Sequence, residues 1–393
     1  MNPNSKKKVL ITFGRSFLTL DLARQWHARG HTVFIADSTR SHVTFFSKAV
    51  SKSFVVPSPR FEPEAYITAL IDIVNKEKID IVIPIYEETV HLSKAIDRFP
   101  SHCTVFSPHF ELYEELQNKW LFQQKLHSLG IPTLKKALVA NAADLREHKL
   151  AVEYALKPCY SRASQKVHKV DPKKPIPNIT IESHNPWIAQ EWAYGNRFCT
   201  YSICHEGTVH AHSTYPVNYA IEGNSCVTFE ATHHQGILDW VSFFVKKINF
   251  SGQIAFDFIE KNGQQLYAIE CNPRATSGLL LFNEKNALDK AFLKENKEPI
   301  FPEEGASQQV FTGMLLYGWR KSAKPNNRLS QFLKSLFTTK DVVFRIKDPK
   351  PLLSEPFVFA RLWFKSRKLG ISLPDCFTFD HDWNNCEEKN QKD

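Results

Sequence analysis

The stretch Phe256-Asp-Phe-Ile-Glu-Lys-Asn-Gly-Gln-Gln-Leu-Tyr-Ala-Ile-Glu270-Cys-Asn-Pro-Arg274 decides how this chain is read. Asn262-Gly263 is a strong hairpin signal, because both residue types tolerate the positive φ of a tight turn between twisted strands. The flanking runs are rich in aromatic and β-branched residues and read as two antiparallel strands. In such a hairpin Asp257 comes into the neighbourhood of Glu270. Glu270 and Asn272 are two apart on one strand, so they share a face. Two carboxylates and an amide oxygen converging on one point are hard oxygen ligands of the kind Mg²⁺ takes. Arg274 follows on that side, with a guanidinium that can grip a phosphate through two hydrogen bonds. Such a cluster is costly to bury unless an ion or ligand satisfies it. The alternative is the solvent-exposed polar face of an ordinary hairpin.

Working outward, Lys119 falls on an amphipathic pattern from Glu111 to Leu129, read as one helix that stops at Gly130-Ile-Pro132. Lys157 ends a β run before Pro158, ahead of a Ser-rich loop. At Gln190-Glu-Trp-Ala193 an apolar strand gives way to a turn at Gly195, an edge whose backbone could read an adenine. From about 198 to 282 strand patterns dominate. The first 110 residues alternate β runs (Val9 to Phe13, Thr32 to Ala36, Ile79 to Ile83, Thr104 to Phe106) with helical patterns such as Leu18 to Gly30. That alternation predicts a parallel sheet covered by helices. A dinucleotide site is not expected, since Phe13-Gly-Arg-Ser16 has one glycine where the fingerprint needs three. Asp37 stands where either a ribose-binding carboxylate or a helix N-cap would sit. Glu87 and Glu88 fall at the carboxyl edge of the sheet, as ligand groups or as first-turn helix acids.

Composition excludes several classes. The chain has 393 residues, 42% hydrophobic and 23% charged, a globular balance rather than a disordered one. Its apolar runs are too short to span a bilayer, and no secretory leader is expected behind Lys6, Lys7 and Lys8. Eight scattered cysteines without a C-x-x-C pair read as reduced and cytoplasmic. His210, His212, His233 and His234 lack partners in metal-ligand pattern and read as surface or core histidines. The net charge of +9 resides in residues 321–370, which hold twelve Lys or Arg against three Asp or Glu. That segment suits a phosphorylated substrate, an anionic surface or nucleic acid, or is a solvated face. Within it, Pro356 to Lys368 combines large apolar residues with a basic end. It could dock on an anionic membrane or another subunit, or form a helix that caps the core.

Taken in order, Lys119, Lys157-Pro158, Gln190-Glu191, Asp257 and Glu270-Cys-Asn272-Pro-Arg274 resemble the ATP-grasp superfamily of ATP-dependent ligases. The segment from Asn118 to Pro132 is similar to the helix that opens the ATP-grasp domain. Glu270 to Gly278 resembles its metal-binding strand, in the form seen in the carbamoyl-phosphate-synthetase-like branch. The likeness covers about residues 8 to 285. It implies a mixed α/β and α+β chain: a Rossmann-like preATP-grasp domain over 1–110, a two-lobed ATP-grasp fold over 111–290 with its lid at about 133–193, and a basic C-terminal extension over 291–393. By position, Lys119 and Lys157 would hold phosphates. Gln190, Glu191, Trp192 and Ala193 would form the adenine hinge, and Ile259 and Ile269 would sandwich the ring. Asp257, Glu270 and Asn272 would hold Mg²⁺, with Mn²⁺ as a substitute, and Arg274 with Lys157 would act on the transferring phosphate.

Three departures from the family pattern stand out. The phosphate-covering loop, Cys159-Tyr-Ser-Arg-Ala-Ser-Gln165, has no glycine, so Ser161, Arg162 and Ser164 would supply its contacts. Asn196 and Arg197 stand where many members place a ribose-binding Glu. The strand with His210, His212 and Tyr215 lacks a phosphate-contacting Lys. The activity implied is ADP-forming ligation of a small-molecule carboxylate to an amine through an acyl phosphate, in a cytoplasmic protein that can form oligomers. A nucleotide-binding regulatory module without turnover is the alternative reading. Nucleic acid is not an expected partner, although basic residues mix with Phe and Trp in 321–370.

Overall fold

Val9, Leu10 and Ile11 of the first strand, β1 (Lys8–Ile11), are wholly buried, as a central strand covered on both faces requires. The structure is a computed structural model, described here for residues 6–141, 143–147, 150–161, 166–217, 220–221, 225–315 and 329–383. From β1 the chain runs through α1 (Phe17–Ala28), β2 (Thr32–Asp37), β3 (Lys52–Val55), α2 (Pro63–Glu77), β4 (Ile81–Ile83), α3 (Thr89–Lys94) and β5 (Thr104–Val105). The strands form one parallel sheet in the order β3-β2-β1-β4-β5. α2 and α3 cover one face through Tyr66, Leu70 and Leu92. The other face packs Trp26 of α1 against residues that come much later in the chain, including Tyr201 and Phe282. β3 was not anticipated, because Lys52-Ser-Phe-Val is a short edge strand with little apolar signal.

The single helix expected from Glu111 to Leu129 is two, α4 (Phe110–Gln117) and α5 (Lys119–Ser128). Asn118 breaks it with an extended backbone (ψ 115°), and its Oδ1 accepts from the N–H groups of Trp120 and Leu121. Next come β6 (Lys136–Val139), α6 (Asp144–Glu147), β7 (Tyr154–Pro158), β8 (His168–Val170) and β9 (Trp187–Glu191), whose strands form an antiparallel sheet ordered β6-β9-β7-β8. A second antiparallel sheet, β11-β10-β15-β16, contains β10 (Asn196–His205), β11 (Thr208–Pro216), β15 (Gly252–Lys261) and β16 (Gln265–Asn272). Between β11 and β15 lie the short β12 (Ala220–Ile221) and β13 (Ser225–Cys226), then β14 (Thr228–Glu230) and α7 (Gln235–Lys247). Ile254, Phe256 and Phe258 of β15 bury one face of this sheet against Phe122 of α5 and Phe244 of α7. Alternation therefore turns Asp257 and Ile259 to the other face.

The remaining elements are α8 (Leu288–Phe292), β17 (Ser307–Gln309), α9 (Phe311–Gly313), α10 (Leu329–Thr338), β18 (Lys340–Asp341), α11 (Lys350–Leu369) and α12 (Leu373–Thr378). The apolar residues Val342 to Phe344 do not extend β18, which ends at Asp341. The Asp341 carboxylate accepts from the N–H groups of Val343 and Phe344, which turns the chain away from β17. α11 packs on the turn Val43–Phe46 and on α12. Its Leu352, Val358 and Leu362 join a core cluster that holds Leu20 and Val43 as well as Tyr215, Phe229, Leu280 and Leu281, so this helix covers residues from both the N-terminal sheet region and the later strands. Buried Arg24 bonds Asp348 and the carbonyls of Val342 and Val343, tying the return to α1. Among the described residues no helix is long and apolar enough to cross a membrane.

Candidate active site

Asn262 and Gly263 both have positive φ (55° and 69°), and the hairpin they close sets Asp257 directly opposite Glu270. Between Asp257 and Phe258 the register slips by one residue, leaving Ile269 as the extra residue of a bulge. Strict alternation would send Ile269 and Glu270 to opposite faces. With the bulge, both border the same cavity of about 340 Å³. Burial, and then the charge of Glu270, push the Asp257 carboxyl above the usual carboxylate range. Two facing carboxylates so placed suit a cation.

The positive groups arrive from three elements. Lys157, at the end of β7, is buried and donates to the carbonyl of Ile269 at 3.2 Å. Burial pushes its ammonium down to about 8, helped by Lys119 and opposed by Glu270 and Asp257. Lys119 opens α5 beside the Asn118 cap, donates to the Ser161 carbonyl at 2.6 Å and lies 3.6 Å from Glu270 Oε1. The Ser161 hydroxyl donates to the Pro158 carbonyl at 3.3 Å, while Arg162 and Ser164 lie outside the described residues. The predicted hinge, Gln190 to Ala193, lines the same cavity, as do Ile259 and Leu134. Gln190 is 2% exposed, and its Nε2 has no partner among the described residues. Gly195 closes the hinge because any Cβ there would meet the Glu260 carbonyl oxygen at 2.1 Å.

Asn272 and Arg274 are not part of that cavity's lining. Arg274 Nη2 donates to Asn272 Oδ1 at 3.0 Å, so the amide oxygen expected beside the two carboxylates faces a guanidinium. Arg274 also stacks over Tyr86 (4.9 Å to the ring centre) and lies 3.9 Å from Glu87, at the carboxyl edge of the parallel sheet. Its Nε is buried with no partner among the described residues. Glu88 stands at the N-cap position of α3, and its Oε1 accepts from Thr12 Oγ1 and the N–H groups of Ile85 and Tyr86, bracing the strand end. Asp37 neither caps a helix nor stands free for a ribose, because it pairs with Arg15. Among the described residues no group of three or more His, Cys, Asp or Glu could hold a metal, so any cation would rest on the Asp257–Glu270 pair with neutral oxygens.

Sequence reasoning did not anticipate that the C-terminal segment packs on the loop after β7. Trp383 packs edge-on against Tyr160 at 5.0 Å, and its backbone N–H donates to Glu87 Oε2 at 2.8 Å. Nothing local in the sequence signals a contact across more than two hundred residues. The side chains of Arg197 and Tyr194, which border the cavity, were likewise not assigned a role there.

A family model described as an ATP-grasp domain matches residues 116–278, the span that holds both lysines, the hinge and the hairpin. Residues 116–278 are an ATP-grasp domain. Solved structures of the same fold extend the likeness beyond those residues, to about three quarters of the chain. N5-carboxyaminoimidazole synthetase from Staphylococcus aureus aligns with a TM-score of 0.56 at 12% identity, over 76% of this chain and 80% of that one. An L-amino acid ligase from Bacillus licheniformis aligns at 0.55 and 17%, over 74% and 76%. The biotin carboxylase domain dimer of the Hydrogenobacter thermophilus 2-oxoglutarate carboxylase, complexed with MgADP, ADP and bicarbonate, aligns at 0.56 and 13%, over 75% and 71%. No curated protein sequence matches the chain significantly. In the ATP-grasp domain of this chain, the cavity lies between the β6–β9 sheet and the β10–β16 sheet, with residues from both in its wall.

Proposed function

We propose that this protein is an ATP-dependent, ADP-forming ligase that joins a small-molecule carboxylate to an amine through an acyl phosphate. The observation that carries the reading is the half-buried Asp257–Glu270 pair, set in one cavity wall with Lys157 and within reach of Lys119. Ile259, Ile269 and Leu134 offer an apolar slot for a purine, and the unpartnered Gln190 Nε2 a donor at its edge. The residues present fit Mg-ATP: an orphaned buried donor beside an apolar slot, and carboxylates beside ammonium groups, match its base, metal and phosphates. Asp257, Glu270 and Asn272 would hold the metal once Asn272 shares or releases its bond to Arg274. Mg²⁺ bound there would neutralise phosphate charge and orient the terminal phosphoryl group.

The chain's own residues manage charge and water. A carboxylate oxygen attacks the terminal phosphorus, the bond to ADP breaks, and both partners are anions. Lys119, Lys157 and Arg274 would offset that repulsion and stabilise the charge of the transition state. The amine then attacks the acyl carbon, inorganic phosphate leaves with the bonding pair, and the amine gives up a proton. The β6–β9 sheet would exclude water while the acyl phosphate persists. The test is ADP release from Mg-ATP with pooled carboxylates and amines, using Glu270→Gln as control. Turnover that needs one particular pair and disappears in the variant supports the ligase. Nucleotide binding without turnover in any pool would favour a regulatory module instead.

A further inference from the structure

α11 buries one face and leaves the other bare. Pro351, Glu355, Val358 and Ser366 are buried, at spacings that follow one side of a helix. On the opposite side Leu353, Phe357 and Phe364 are 67%, 78% and 67% exposed, with exposed Ala360 between them. The turn leading into the helix adds Ile346, 85% exposed, and half-exposed Phe344. Large apolar groups in a continuous helical stripe are uncommon on a free surface.

Charge frames the stripe. Lys347, Lys350, Arg361, Lys365, Arg367 and Lys368 are all exposed. The three acids of residues 329–370 are withdrawn: Asp348 pairs with Arg24, Glu355 is buried, and Asp341 accepts backbone N–H groups. By helical rotation Lys350, Arg361 and Lys368 flank the apolar stripe on one side, and Arg367 with Trp363 on the other. Arg367 lies over the Trp363 ring, 5.4 Å from its centre. Long basic side chains beside an apolar centre can reach headgroup phosphates while the centre enters the acyl boundary.

We propose that this outer face of α11, with the turn before it, docks the protein on an anionic lipid bilayer. The helix lies in the interface and does not span it. Two such basic faces repel one another, which disfavours a second copy as the occupant. Leu353 and Ile346 offer no stacking surface, which disfavours nucleic acid. The inference is independent of the ligase reading, because no residue of the face borders the nucleotide cavity.

The test is flotation of the full chain with phosphatidylcholine vesicles, with and without phosphatidylglycerol. The protein should float only with the anionic vesicles, and less as salt is added. The double variant Phe357→Glu/Phe364→Glu should lower vesicle partitioning by roughly tenfold or more. Its melting temperature should not change, because both side chains are exposed. Wild type that stays at the bottom of the gradient with anionic vesicles overturns the proposal. So does a double variant that floats like wild type, a dimer that only the variant dissociates, or salt-sensitive RNA retention in place of flotation.

Discussion

Gln190 Nε2 is buried beside an apolar slot with no partner among the described residues, and an amide left so costs about 1–3 kcal/mol. Gln190→Leu should therefore leave the unliganded protein as stable or more so, yet weaken ATP binding about tenfold. Calorimetric titration and a thermal melt separate those two effects. Gly195 is the opposite case, where backbone crowding decides. Gly195→Ala should destabilise by roughly 1–3 kcal/mol and weaken nucleotide binding with it, because Glu260 must move for the new Cβ to fit. At this scale Ile259 and Ile269 came only from the family resemblance, whereas the facing of Asp257 and Glu270 was legible, since a hairpin signal is a local property. The bulge that lets Ile269 and Glu270 face one cavity was not, because a one-residue slip leaves no trace in composition. Nor was the bond from Arg274 to Asn272, which depends on how the chain turns after the strand ends.

At the scale of elements, Asn118 shows how an uninterrupted apolar period can hide a break. Leu112, Leu116, Trp120 and Leu126 recur at helical spacing across it, yet its side chain caps the second helix and leaves Lys119 at that helix's first turn. Asn118→Ala should cost about 1 kcal/mol in urea unfolding, and Asn118→Asp should retain most of it. α11 carries a second element-level prediction. Glu355 is 5% exposed, and burial followed by the charge of Asp341 pushes its carboxyl up to about 7 from an ordinary 4.5. The native state then binds more protons than the unfolded chain between those values, so stability falls as pH rises through that window. Glu355→Gln should flatten this part of the profile and stabilise the protein at pH values above about 7. Denaturant midpoints measured across the window would show no difference in slope if the carboxyl is not buried in solution.

For the whole molecule, the decisive contact joins the two ends of the chain. Arg15, just after the first strand, pairs with Asp37 and, across 365 residues, with Asp380 at 2.8 Å. The sequence offers no hint of this, because the positions carry no shared pattern and the pairing forms only when α11 and α12 fold back over the parallel sheet. Burial works against each of these charges, but Arg15 overrides it for both acids, holding Asp37 at about 2 and Asp380 well below the usual range. Their contribution is complete above the ordinary 3.8 and is lost as pH falls from there toward about 2. Asp380→Asn leaves Arg15 one partner, so its cost should be smaller than that of an isolated buried charge, roughly 1–3 kcal/mol at neutral pH. Arg15→Met should cost more, since it strands two buried carboxylates, and the double variant should cost less than the sum because Asp380 then has no cation to lose. Urea unfolding of the four proteins at neutral pH gives the coupling, and repeating it below pH 4 should shrink the gap between wild type and Asp380→Asn. Additive effects at neutral pH would mean that the C-terminal segment does not rest on the first strand.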